Sequence, residues 1–157
     1  MITDEKTQMI ADEKKQIITD KRPQMIADAN GLYKDLTYKV IGCLYEVHRE
    51  LGAVHKEIIY HKAIAIELKD REILFAEEKS IDVKYKGKRI GVYRPDFIID
   101  DKVILEVKVV PAITKAMQDQ VYYYVKGTRY KLVLLANFGT SKVGIKRLIY
   151  TDYSGNL

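Results

Sequence analysis

The apolar residues of this chain first change their spacing between Lys69 and Ile73, and that change limits the folds open to it. Before it, Leu32, Leu36, Val40, Leu44, Val47 and Leu51 recur at three- and four-residue steps. This is the stripe of an amphipathic helix, and Gly52 is a natural stop for it. A second helix is expected from about Glu57 to Lys69, with Ile59, Ala63, Ile66 and the flanking Tyr60 turned inward. After it the period falls to two. Ile73–Glu78, Ile81–Tyr85, Arg89–Tyr93, Phe97–Ile99 and Val103–Val109 read as strands, with turns at Lys86-Gly87-Lys88 and Asp100-Asp101. Pro95 interrupts the run and Pro111 ends it. Ile113–Lys126 is expected to be helical up to Gly127, followed by a buried strand over Lys131–Phe138 and a last strand over Ile145–Tyr150. The order α, α, several β, α, β, β is that of an α/β chain.

The first 28 residues follow another rule. Met1–Asp4, Met9–Asp12, Ile17–Asp20 and Met25–Asp28 are four copies of one unit with a period of eight, and Gln8, Gln16 and Gln24 lead the last three. That period suits neither a coiled-coil seam nor a long single helix, and Pro23 breaks any continuous helix. Residues 1–30 are therefore expected to form a mobile or loosely helical tail, and residues 31–157 the folded domain. A short adhesive arm for a partner is the alternative.

At 157 residues and 47% hydrophobic, the chain suits one domain with a real core. Its longest apolar runs fall far short of the roughly 20 residues that span a bilayer. No charged start followed by an apolar stretch and a cleavage site opens it. Cys43 is the only cysteine, which excludes an internal disulfide and a multi-cysteine zinc site. A soluble cytoplasmic protein is the simplest expectation. Net charge is +5, and it is unevenly spread. Residues 1–30 hold five Lys/Arg and six Asp/Glu, which leaves 22 basic and 16 acidic residues for the rest. A moderately basic body is compatible with a polyanionic partner such as nucleic acid.

Hydrolysing a phosphodiester requires charge neutralisation at the phosphate and an activated water. A divalent metal held by two carboxylates supplies both, and a nearby lysine can orient the water or stabilise developing charge. Arg94-Pro95-Asp96, then nine residues, then Glu106-Val107-Lys108 offers these parts. Glu106 and Lys108 are two apart on a strand and share one face. The turn near Asp100–Lys102 folds Asp96 back to lie roughly across from Glu106. Taken alone, Glu-x-Lys on a strand is ordinarily just a solvated face.

The rest of the chain adds to this trio. Glu46-Val47-His48 through Leu51-Gly52, Glu57-x-x-Tyr60, Arg94–Asp96, Glu106–Lys108, Gln120-x-x-x-Tyr124 and Ala136-Asn137-Phe138-Gly139 follow in order from about Leu36 to Tyr150. In these segments the sequence resembles the GxxExxY family, a branch of the PD-(D/E)XK nuclease superfamily. The resemblance implies a restriction-endonuclease-like core, a mixed α+β sheet flanked by helices with its acidic site where the central strands splay. It implies Asp96 and Glu106 as metal ligands, Lys108 as catalytic lysine, and Glu57 approaching the metal directly or through water. Gln120 and Tyr124, one turn apart on a helix, match a Q-x-x-x-Y element that lines the site in related exonuclease-like branches. Where the family pattern has a glycine three residues before its glutamate, this chain has Val54. Valine does not readily adopt positive φ, so a different loop is expected before the second helix.

The leading expectation is thus an Mg²⁺- or Mn²⁺-dependent nuclease acting on nucleic acid, DNA ahead of RNA. The alternatives are a non-catalytic nucleic-acid-binding or accessory module on the nuclease fold, and an interaction protein, such as a homodimer, with a structural acidic cluster. One site cuts one strand, so double-strand cleavage would require a dimer or a second event. His48, His55 and His61 show no metal-ligand spacing and are expected at the surface or in helix packing, and Cys43 in the core. Tyr122, Tyr123 and Tyr124 face different ways on a helix, so at most one or two could stack on bases. Lys84, Lys86, Lys88 and Arg89 form a basic hairpin that suits a phosphate backbone or an edge protected by lysines.

Overall fold

The structure, a computed structural model, describes residues 31–126 and 128–150. The repeat tail over residues 1–30 and the expected helix stop at Gly127 lie outside the described residues. Helix α1 (Lys34–Leu51) buries Thr37, Val40, Cys43, Leu44 and Val47 on the stripe that the spacing marks out. Gly52 follows with φ of 67°, and its N–H donates to the His48 carbonyl at 2.8 Å. That left-handed residue closes the helix without a Cβ penalty.

Helix α2 (Glu57–Asp70) forms where expected and turns Tyr60 inward as expected, but Ile59 and Ile66 do not follow it. Tyr60, His61, Ile64 and Leu68 are buried, whereas Ile59 is 41% and Ile66 62% exposed. The segment carries Ile58, Ile59, Ile64, Ile66 and Leu68 on most of its sides, so apolar spacing does not fix its rotation. Tertiary contacts do. Tyr60 is held by a stack on Phe138, with ring centroids 4.6 Å apart.

The strands are β1 (Phe75–Glu77), β2 (Ile81–Tyr85), β3 (Lys88–Tyr93), β4 (Phe97–Ile99), β5 (Val103–Lys108), β6 (Leu132–Asn137) and β7 (Gly144–Ile149), with helix α3 (Lys115–Val125) between β5 and β6. Five of them make a mixed sheet in the order β1-β4-β5-β6-β7, while β2 and β3 pair only with each other as a separate antiparallel hairpin. Pro95 stands between β3 and the sheet and is buried. Within the sheet only β5 and β6 run parallel, and α3 is the crossover between them. Strand β6 is buried along its whole length and β5 along all but Lys108, as central strands covered on both faces should be. The architecture is a mixed α+β sheet flanked by helices, consistent with a restriction-endonuclease-like fold.

The β4–β5 connection turns on Asp100 and Asp101, at φ of 47° and 53°, with the Lys102 N–H donating to the Ile99 carbonyl at 2.9 Å. Two successive positive φ values mark the primed turn whose twist suits a hairpin. It sets the register Ile99↔Val103, Ile98↔Ile104 and Phe97↔Leu105. Among the described residues no helix is long and apolar enough to cross a membrane.

Candidate active site

The β4–β5 ladder stops at Phe97↔Leu105, one step short of Asp96 and Glu106. Strand β5 continues beyond that point against β6, through Glu106↔Leu135 to Lys108↔Asn137. The next amide on the β4 side of β5 therefore loses its backbone partner. Asp96 takes that place, its Oδ2 accepting from the Val107 N–H at 2.7 Å. The central strands splay here, and the carboxylate caps the gap.

Glu106 lies beside Asp96 and is buried to 7% exposure. Burial pushes its carboxyl up to about 7, and the negative charge of Asp96 adds to the push. The Tyr93 hydroxyl donates to Glu106 Oε1 and Lys108 attracts the same carboxyl, but both opposing effects are outweighed. Lys108 follows two residues along β5, on the same face and half-buried. Glu57, exposed in the first turn of α2, is coupled to Asp96 and Lys108 by charge. Desolvation raises its pKa, with Lys108 and His61 opposing and Asp96 reinforcing, so its charge is felt across the same small space.

Tyr124 reaches the site at one remove. Its ring stacks on Tyr93 at 4.8 Å and 8°, and Tyr93 in turn bonds Glu106. Gln120 is not brought in. It is exposed one turn away, and its side chain makes no hydrogen bond among the described residues.

The remaining motif segments set the position of Glu57. Tyr60, one turn after it, donates its hydroxyl to the Gly52 carbonyl and accepts from the His55 N–H at 3.2 Å. Its ring stacks on Phe138, and His48 Nε2 bonds the Thr140 carbonyl at 2.9 Å. Asn137 is buried and clamps the chain that leaves β5, accepting from Val110 N–H at 3.0 Å and donating to the Val110 carbonyl at 2.9 Å. Gly139 lies so close to that segment that a Cβ would stand 2.6 Å from the Val110 oxygen. These contacts tie both helices to the end of β6, where the site opens. Val54 is 85% exposed and is not among the residues with positive φ; Gly52 takes that conformation instead. With Val54 at this position, Glu57 is exposed at the start of α2 and interacts with Asp96 and Lys108 through charge.

Two participants went unmarked in the sequence. His61 is buried, stacks on Phe97 at 4.3 Å, and lies 3.1 Å from Glu77 Oε1 and 3.7 Å from Asp96 Oδ1. It packs as expected of a helix histidine, but between the carboxylates of Glu77 and Asp96. Its spacing of four from Glu57 is the signal that could have found it. Tyr93 carries no comparable signal, because its partner Glu106 is remote in sequence.

Among the described residues no three His, Cys, Asp or Glu side chains gather around one point able to hold a cation. The donor chemistry nevertheless suits one. Asp96 and Glu106 are crowded together with one carboxyl driven toward its neutral form, and a hard divalent cation favours such oxygen pairs and relieves their repulsion.

A family model for the PD-(D/E)XK nuclease superfamily matches residues 34–148, most of the chain. The chain belongs to that superfamily. Its match takes in α1 through most of β7, so the acidic pair, Lys108 and the flanking helices all fall inside the superfamily domain. No curated protein and no solved structure matches the chain. A superfamily made up generally of nucleases points to nuclease-type function and to nucleic acid as substrate.

Proposed function

We propose that this chain is a divalent-metal-dependent nuclease of the GxxExxY branch, with DNA ahead of RNA as its substrate. The observation that carries the reading is the pairing of Asp96 with Glu106 at the point where β4 leaves β5, with Lys108 two residues further on. Asp96 and Glu106 would hold Mg²⁺ or Mn²⁺, with Glu57 reaching it directly or through a water, and the ion when bound would activate a water and offset phosphate charge. Lys108 stands to bind a phosphate oxygen and to stabilise the charge that builds during in-line attack. Tyr93 orients Glu106 through its hydroxyl, Tyr124 braces Tyr93, and His61 Nδ1 lies 3.7 Å from the Asp96 oxygen that the strand amide does not use.

The test is metal-dependent cleavage by the full chain. Purified protein with Mg²⁺ or Mn²⁺ should cut DNA, and Asp96→Ala, Glu106→Ala and Lys108→Ala should each abolish cutting. Cleavage that survives all three substitutions would exclude this site. Salt-sensitive binding without turnover would favour an accessory module on the same fold instead.

A further inference from the structure

A cleft of about 550 Å³ runs between residues 79–84, at the start of β2, and the end of α3 with residues 128–130. That is within the range of roughly 300–1,000 Å³ typical of ligand sites. One wall supplies aromatic rings. Tyr123 is 70% exposed and Tyr124 38%, and both line the cleft. Tyr124 has one face against Tyr93, whose hydroxyl bonds Glu106, so one wall of the cleft is linked to the candidate active site through that pair of rings.

The lining is also cationic. Lys79, Lys84, Lys126 and Arg129 face a single carboxylate, Asp82. Asp82 pairs outward with Arg89 at 3.3 Å, and Arg129 is taken up by Asp101. Lys84 and Lys126 have no carboxylate in ion-pair reach among the described residues; the Lys126 ammonium lies 5.9 Å from the Tyr122 ring centroid.

Cations alone would fit any polyanion. An exposed ring beside them narrows the choice, because a base can lie flat on tyrosine only when it is free of its own stack and pair. We infer that this cleft binds a single-stranded segment of nucleic acid, with a base stacked on Tyr123 and phosphates held by Lys84 and Lys126, leading the strand to Asp96 and Glu106. The inference rests on the nuclease reading for the direction of the strand, but binding can be measured apart from cleavage.

The test uses the full chain carrying Glu106→Gln, in chelator, with labelled oligothymidylate, oligouridylate and a duplex of equal length, read by fluorescence anisotropy across salt concentrations. Single strands should bind more tightly than duplex, and tight binding of either the DNA or the RNA strand supports the cleft. Tyr123→Ala should weaken binding about tenfold, while Tyr123→Phe should bind like its parent, since stacking needs the ring and not the hydroxyl. Lys84→Ala with Lys126→Ala should lower the slope of log affinity against log salt by about 1.4, at about 0.7 for each phosphate contact on a single strand. Duplex preference, or unchanged binding in Tyr123→Ala, overturns the inference. In the otherwise wild-type chain the two readings separate. Binding that depends on Tyr123 without metal-dependent cleavage would leave the cleft and remove the nuclease. Cleavage with kcat/KM unaffected by Tyr123→Ala would do the reverse.

Discussion

Glu106→Gln should stabilise the metal-free protein, and by an amount set by pH. Folding lifts the Glu106 carboxyl from its ordinary 4.5 up to about 7, through burial first and the charge of Asp96 second. A group raised in this way contributes stability in full below its unfolded pKa, and that contribution is lost as pH rises through the folded value. At about 1.4 kcal/mol per pH unit, the ionised carboxylate costs about 3 kcal/mol at pH 8 and about 1 kcal/mol at pH 5. Glutamine removes the charge while keeping an oxygen to accept from the Tyr93 hydroxyl, and its amide can donate to Asp96. In chelator, urea titrations should find the variant more stable than wild type by about 2–3 kcal/mol at pH 8, with the gap closing to about 1 kcal/mol or less at pH 5. A variant less stable than wild type at pH 8, or a gap that ignores pH, would refute the electrostatic account of the site.

Other outcomes follow from the same contacts. Saturating Mn²⁺ should raise the melting temperature of wild type, most strongly above pH 7 where Glu106 is ionised, and should leave Glu106→Gln nearly unmoved; equal shifts in both proteins would place the ion elsewhere. Gly139→Ala should cost about 1–3 kcal/mol, because its Cβ would press on the Val110 backbone, and a thermal melt within a degree of wild type would contradict that packing. Val54→Gly should bring no gain and a loss of up to about 1 kcal/mol, since the residue is exposed outside the left-handed region and glycine only loosens the unfolded chain; a clear rise in stability would show that the loop wants the family's glycine. Tyr60→Phe should cost about 1–3 kcal/mol by leaving the Gly52 carbonyl without its partner, as chemical denaturation would show.

Much of the architecture was legible because the sheet obeys local rules. Alternation from Ile81 and the turn chemistry at Asp100-Asp101 located the strands, and the arithmetic of that hairpin put Asp96 opposite Glu106. The rotation of α2 was not legible, because isoleucines occupy most of its sides and only the stack of Tyr60 on Phe138 selects one. Nor did strand patterning show that β2 and β3 stand apart from the five-stranded sheet, since a hairpin looks the same from its own residues in either setting. Within the site, residues joined along one strand or one turn of helix could be grouped by spacing. Tyr93 with Glu106 and His61 with Asp96 could not, because they meet only through the folded chain. Gln120 is the converse case. Its spacing from Tyr124 is right, yet only Tyr124 is drawn in by a stacking partner.

The bond from Asp96 to the Val107 amide gives that carboxylate two employers. One is the proposed chemistry, and the other is the closing of a gap where a strand departs. A descendant that gave up catalysis would still be selected to keep an oxygen at this position, and asparagine would serve. Lys108 has no such second tie among the described residues, so it would be the first of the trio free to drift. The letter at position 96, acid or amide, therefore reports on chemistry only when it is read together with Lys108.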